Sequence, residues 1–355
     1  MTIPIYQEVL EAFVNSSDEM FVEPITEGLI NQSFKITSKE TGSSYILQKI
    51  NDHVFPEPAQ VQKNYVRLWR FLEELKPDYF IPEPKYFPNR NSFFVDSINK
   101  YWRVFEYVAG TESRKNASTI NEAKAVAETF AKFTLTFANL DPRELETTIP
   151  NFHNLSFRFI QFKQSLHIRN YERLQKAADL IHELNRRENY ANLYDVMVQS
   201  KEFPKRIMHH DAKISNVLFD IDSGEVVCAV DFDTTMPGYF FSDLGDMIRS
   251  MAVSHDEAST DFENISIRKE YYEAILDAYM NIIKDILTES EKKYIHHSGI
   301  FMIYMQALRF LIDYLNGDIY YRIEYAEQNF DRAKNQLSLL KALESFLKHN
   351  YSINV

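Results

Sequence analysis

Between residues 206 and 233 the chain carries a short set of polar residues whose order and spacing leave few folds open. His209-x-Asp211 is followed by Asn216 five residues on and by Asp231 fifteen residues further. Val217-Leu-Phe-Asp220 and Val226-Val-Cys-Ala-Val-Asp231 read as strands, with Asp222-Ser-Gly224 between them as turn chemistry. Such a hairpin brings Asn216 and Asp231 to the same end. Transfer of a phosphoryl group needs a carboxylate beside the attacking hydroxyl, and an amide oxygen with a second carboxylate to hold Mg²⁺ on nucleotide phosphates. Asp211, Asn216 and Asp231 have the types and order for those three jobs. Isolated Asp and Asn residues also serve as turn formers, but this constellation in fixed order is rarer than its parts.

On these residues the chain resembles the protein-kinase-like superfamily, in its aminoglycoside-phosphotransferase and choline-kinase branch. Protein kinases usually carry His-Arg-Asp and then Asp-Phe-Gly. This chain has His209-His210-Asp211 and Asp231-Phe232-Asp233, without the glycine. The resemblance implies Asp211 as catalytic base and Asn216 with Asp231 as Mg²⁺ ligands. It sets Asp233 on the substrate side, or in support of its neighbours. Lys213 either neutralises the transferring phosphoryl group or is a surface loop lysine.

The rest of the pattern agrees with an α+β class. Residues 5–14 read as a short helix; 20–24, 33–37 and 44–50 as strands; and 59–75 as a helix stopped by Pro77. Residues 92–95 and 101–107 follow as strands. That is the order of a small antiparallel nucleotide-binding lobe with one main helix, assigned to residues 1–108. The remainder, 109–355, reads as a mostly helical catalytic and substrate-binding lobe around the hairpin. Its helices are expected at 120–137, 155–185, 190–199, 244–253, 267–286, 289–315 and 322–348. Ser242 or Asp243 is expected to cap the 244–253 helix. In kinase-like folds an aspartate at the place of Asp243 braces the catalytic loop.

The nucleotide half is less well marked. Gly28, Asn31 and Ser33 form a short polar loop between two strands, able to turn N–H groups toward phosphates. The third strand should supply a cation to the phosphates, and it offers Gln48 and Lys49 on opposite faces. Apolar alignment on the family puts Gln48 where a lysine or arginine is usual, whereas chemistry favours Lys49. Residues 59–72 contain no acid to partner that cation, so Asn64 or Gln62 takes its place. Phe105-Glu-Tyr-Val-Ala-Gly110 suits a hinge in which Glu106 and Val108 read adenine through the main chain.

Four segments carry a finer resemblance: Gly28-Leu-Ile-Asn31, Tyr45-Ile-Leu-Gln-Lys-Ile-Asn51 with Val54-Phe55, Asp231-Phe-Asp-Thr-Thr-Met-Pro-Gly238, and Leu308-Arg-Phe-Leu-Ile-Asp-Tyr-Leu-Asn-Gly-Asp-Ile-Tyr-Tyr321. They are similar to the N-acetylhexosamine 1-kinases. The resemblance implies ATP with Mg²⁺, an amino-sugar acceptor attacked at its anomeric hydroxyl, and Arg309 and Tyr320 at the sugar pocket. Arg309 sits among Phe301, Ile303, Tyr304 and Leu308, and a guanidinium there needs a partner. Asp313, four residues on, is the alternative to a substrate. Aminoglycoside, choline and homoserine kinases are the nearest rivals, and a catalytically inactive nucleotide-binding scaffold is another.

Composition excludes some partners. With 39 basic and 51 acidic residues the net charge is −12, which argues against a nucleic-acid partner. A single cysteine, Cys228, allows no internal disulfide, and its apolar strand marks it as buried. No basic-then-apolar start and no long apolar run are present, so a cytoplasmic protein is expected, neither exported nor in a membrane. The oligomeric state is left open.

Overall fold

The computed structural model describes residues 5–14, 19–26, 30–167 and 170–354. In chain order, the first part holds α1 (Gln7–Phe13), β1 (Met20–Ile25), β2 (Gln32–Ser38), β3 (Ser44–Lys49), α2 (Pro58–Leu75), β4 (Pro84–Lys85), β5 (Phe94–Val95), β6 (Tyr101–Glu106) and β7 (Thr111–Ser113). Next come α3 (Ile120–Thr136), α4 (Leu155–Ser165), α5 (Tyr171–Lys176), α6 (Ala178–Asn185) and α7 (Glu188–Gln199). Four short strands follow: β8 (Arg206–Met208), β9 (Val217–Asp220), β10 (Val226–Ala229) and β11 (Met236–Gly238). The chain ends in α8 (Phe241–Met251), α9 (Lys269–Ile283), α10 (Glu289–Lys293), α11 (His297–Leu315) and α12 (Gln328–Tyr351). Contacts divide it into two compact units. Unit 1 is Met1–Glu112 with Asn139–Pro150 and Leu218–Pro237; unit 2 is Ser113–Ala138 with Asn151–Val217 and Gly238–Val355. Where the sequence suggests one cut at 108/109, the contacts return two later segments, including Asp231 and Asp233, to the first unit.

Unit 1 is built on an antiparallel sheet in the order β1-β2-β3-β6-β4, with β5 also on β6. Side chains alternate along each strand, so Ile36, Leu47, Trp102 and Val104 share one face and close a core with Val9 and Leu10 of α1. The other face carries Gln48 opposite Arg103 and meets α2, whose Tyr65 ring lies 5.4 Å from Phe105. Pro58 opens α2, where its missing N–H costs nothing, and Lys76 ends it in the left-handed region just before Pro77. Leu68 on its inner stripe is fully buried; truncation to alanine there costs about 2–5 kcal/mol. The β9–β10 hairpin turns at 220–225, where Asp220 accepts from the Asp222 and Ser223 N–H groups and Gly224 takes φ +71°.

Unit 2 is helical around α11, which packs on α8, α12 and α4 while α3 packs on α9. The α8–α11 crossing is close because Gly245 faces the Ser298 carbonyl; a Cβ there would overlap that oxygen. Three expected helices are corrected. The 155–185 segment is three helices, because Asn170 caps a new start on Arg173 N–H and the chain bends again at Ala177. The 289–315 segment is two, since Thr288 and Glu291 close a capping box on a helix that ends before Tyr294. The last helix begins at Gln328 rather than 322, after Glu327 at φ +80°. Among the described residues no helix is long and apolar enough to cross a membrane.

Candidate functional site

In unit 2, Asp211 follows β8 on a loop whose backbone is held from α8. Asp243 accepts the N–H of His209 at 2.9 Å and of His210 at 2.7 Å. Asp243 is therefore spent on the loop, and α8 starts without a side-chain cap at Phe240, which corrects the capping expectation. Burial pushes the Asp243 carboxyl up to about 7, against the pull of those two N–H groups. His210 adopts φ +64°, and its ring needs Gly238, since a Cβ at 238 would overlap the imidazole. The His209 ring packs edge-on to Phe130 and Phe133.

The loop presents Asp211 to two donors. Lys213 Nζ lies 2.9 Å from Oδ2, and Asn216 Nδ2 donates to Oδ2 at 2.7 Å and to the Asp211 carbonyl at 2.9 Å. Burial opposes ionisation of Asp211, but the Lys213 ammonium, His209 and the Asn216 amide hold it below the usual carboxylate range. Both hydrogen bonds of the Asn216 amide go through its nitrogen, which leaves Oδ1, a hard oxygen donor, for another partner. Sequence reasoning missed the acid–base pair behind this loop: Asp246 and Arg249 on α8, 2.7 Å apart, with Arg249 also on Glu257 at 2.6 Å.

Also in unit 2, Arg309 of α11 lies 5.1 Å from the Phe152 ring centroid, 5.8 Å from Tyr320 and 5.5 Å from Tyr321. Its Nη1 donates to Gln306 Oε1 at 3.2 Å. The Arg309–Asp313 pair left open by the sequence is not what forms. Asp313 accepts the N–H groups of Ile319, Tyr320 and Tyr321 at 2.8–3.0 Å, and so shapes the loop that sets both tyrosines over Arg309. Burial, and then the charge of Arg309, lower the guanidinium of Arg158 to about 10; only Tyr320 and Tyr321 act the other way. Burial and neighbouring cations hold His153 neutral.

In unit 1, Asp231 follows β10 after Val230. Asp231 takes φ +64° and opens a 3₁₀ turn over Phe232–Thr234. Asp233 is 2% exposed: Asn31 Nδ2 donates to Oδ2 at 2.7 Å, and Arg103, also 2% exposed, pairs with Oδ1. With both oxygens engaged, the supporting role fits Asp233 better than substrate contact. Arg103 also donates to Gln48 Oε1 (3.0 and 2.5 Å), and Gln48 Nε2 donates to Ser33 Oγ at 2.9 Å. Asn31 Oδ1 accepts from Asn51 N–H at 2.9 Å. Gln48 thus shares its face with the buried cation, whereas Lys49 Nζ lies 5.9 Å from the Trp102 ring on the other. Asn64 of α2 holds the Thr235 carbonyl at 3.0 Å and both backbone groups of Glu146, while Gln62 turns to the Ser92 carbonyl.

Arg103 was not singled out from sequence, although a charge inside Tyr101–Glu106, between Trp102 and Val104, demands a buried partner. Glu106 accepts from Glu83 N–H and donates its own to the Glu83 carbonyl, and the Val108 carbonyl accepts from Thr111 Oγ1. Gly28 lies outside the described residues. Among those described, no cluster of three or more His, Cys, Asp or Glu side chains is gathered for a metal.

A family model described as "Phosphotransferase enzyme family" matches residues 22–279. Solved structures are similar along nearly the whole chain. The microcompartment-associated aminopropanol kinase is 17% identical, with TM-score 0.58 and 97% of each chain covered. An aminoglycoside phosphotransferase from Alicyclobacillus acidocaldarius is 13% identical, with TM-score 0.61 and 98% of each covered. A spectinomycin phosphotransferase in complex with ADP and spectinomycin is 10% identical, with TM-score 0.59, covering 92% of this chain and 93% of that one. At these identities the likeness is one of fold.

Proposed function

The chain belongs to the phosphotransferase enzyme family, and from that premise we propose that it transfers the γ-phosphoryl group of ATP to the anomeric hydroxyl of an N-acetylhexosamine. Asp211 accepts the hydrogen bond of the acceptor hydroxyl and aims its oxygen at the γ-phosphorus. The O–P bond forms as the bond to the bridging oxygen of ADP breaks, and the hydroxyl proton passes to Asp211. An ionised, positioned carboxylate suffices, because proton transfer is late in a loose transition state. The lowered pKa of Asp211 suits that task. Lys213, tied to Asp211, offers a cation to the moving phosphoryl oxygens.

The donor set suits Mg²⁺: Asn216 offers an amide oxygen and Asp231 a carboxylate, both hard ligands. Few protein ligands are needed, since Mg²⁺ keeps waters and takes phosphate oxygens. When bound, the ion neutralises charge on the β- and γ-phosphates. Glu106 and Val108 are proposed to line the adenine, with Asn31, Ser33 and Gln48 supporting the phosphate side; Lys49, on the Trp102 face, is not assigned to it.

The observation that carries the acceptor reading is the cation-rich, ring-lined surround of Arg309. The charge of Arg309 bears on Arg158, and the acid that bears on Tyr321, Glu257, is itself paired with Arg249. An ammonium-bearing acceptor would meet repulsion there, whereas the hydroxyls and acetamide carbonyl of a neutral sugar would find donors. The test is ADP release with Mg²⁺-ATP against GlcNAc, GalNAc, glucose, choline, homoserine, 1-amino-2-propanol and kanamycin, with phosphorus NMR of the product. Turnover confined to the N-acetylhexosamines with an anomeric phosphate is expected. Turnover on the amines alone would discard the sugar pocket and leave phosphoryl transfer standing.

A further inference from the structure

Kinase-like chemistry asks for a cation on the third strand, yet β3 places Gln48 on the face that matters. One strand over, the same face carries a buried cation. Register sets Arg103 of β6 directly opposite Gln48, and the guanidinium bridges the Gln48 amide and the Asp233 carboxylate in a site closed to water.

What this bridge holds is the turn beyond Asp231. Asp231 lies in the left-handed region, which a non-glycine residue keeps only when its surroundings over-determine it. Phe232 is packed on Tyr65 at 5.7 Å, Asp233 is tied to Arg103 and Asn31, and the Thr235 carbonyl is tied to Asn64. Three of the four residues after Asp231 are thus anchored to the sheet or to α2. Of those anchors only the Arg103–Asp233 link is a charge pair. Each Asp233 oxygen accepts from one of these anchors, Oδ1 from Arg103 and Oδ2 from Asn31, so the carboxylate is held from both sides.

We propose that Arg103 is the positioning residue for Asp231: standing on β6 opposite Gln48, it fixes the Asp231 carboxylate through Asp233. The inference rests on the reading that Asp231 holds Mg²⁺. A partner that orients a metal ligand is worth about 10–100-fold in metal affinity.

The test is Mg²⁺-dependent binding of ADP by calorimetry, with no acceptor present, on the full chain. Arg103→Met is expected to raise the Mg²⁺ concentration for half-maximal binding by about 10–100-fold, with ADP binding in EDTA unchanged. Arg103→Lys should recover part of the loss. Since Arg103→Met strands a buried carboxylate and can unfold the unit, the charge-free pair Arg103→Met with Asp233→Asn is measured beside it. The pair is expected to fold and still to need the higher Mg²⁺. A folded pair with the wild-type Mg²⁺ response would overturn the proposal. Asp231→Asn separates the two readings: an unchanged Mg²⁺ response in that variant would sink the metal role of Asp231, whatever Arg103 does.

Discussion

A single nitrogen, Asn216 Nδ2, donates both to the carboxylate of Asp211 and to its backbone carbonyl. The candidate base and the candidate metal ligand are therefore oriented by one amide. Asp211→Asn should leave ADP affinity within about twofold and lower kcat by about 10²–10⁴-fold. Asn216→Ala should lower kcat as well, and in addition weaken Mg²⁺-dependent ADP binding, because it removes both the Asp211 restraint and the amide oxygen proposed for the ion. Steady-state kinetics with calorimetry check both; equal turnover in Asp211→Asn would end the assignment of Asp211 as base.

Asp243 contributes through backbone alone. Asp243→Ala leaves the N–H groups of His209 and His210 without their buried acceptor, at about 1–3 kcal/mol each. Urea unfolding should show a loss of that size, and kcat should fall because Asp211 is next in the chain. Asp243→Asn keeps one acceptor oxygen and should fall between the two. An Ala variant as stable as wild type would mean that water takes over both bonds.

How much of this was legible in the sequence depends on distance along the chain. Asp211, Asn216 and Asp231 lie within a stretch of strand, turn and strand, so order and turn chemistry alone mark them. The Arg103–Asp233 pair joins residues 130 positions apart. Nothing local reports it, except that an arginine inside a buried strand must be paid for. The choice between Gln48 and Lys49 turns on register: Gln48 faces Arg103 and Lys49 faces Trp102, a fact of pairing and not of propensity. The helix expected over 155–185 failed for another reason. Apolar spacing runs on past Asn170, but a capping side chain restarts the helix without disturbing that spacing.

The loop over Arg309 gives an acceptor-side prediction. Arg309→Met and Tyr320→Ala should raise the acceptor KM by about 10–100-fold, the loss of one or two hydrogen-bonding or stacking contacts, with the ATP KM unchanged. Asp313→Ala should copy them from a distance, because it releases the three N–H groups that shape the Tyr320–Tyr321 loop. If Asp313→Ala alters the ATP KM instead, the loop does not serve the acceptor.

His297, the first residue of α11, makes stability depend on pH. Burial, and then the neighbouring His296, depress its pKa from 6.5 to about 4, and a helix amino terminus disfavours a cation there as well. The ring lies 5.1 Å from Tyr294 and 6.0 Å from Phe301, and its buried Nδ1 has no hydrogen-bond partner. Between pH 6.5 and about 4 the unfolded chain binds a proton at this residue that the folded chain refuses. Its contribution is thus fully present above pH 6.5 and is lost as pH falls toward 4. His297→Phe keeps the ring packing and removes the titration. Tm plotted against pH should fall less steeply for His297→Phe than for wild type across that window, and run parallel above pH 7. The other depressed histidines, His153 and His296, remain in both proteins, so the difference in slope reports His297 together with its coupling to His296. Equal slopes would mean that His297 accepts its proton in the folded chain as readily as in the unfolded one.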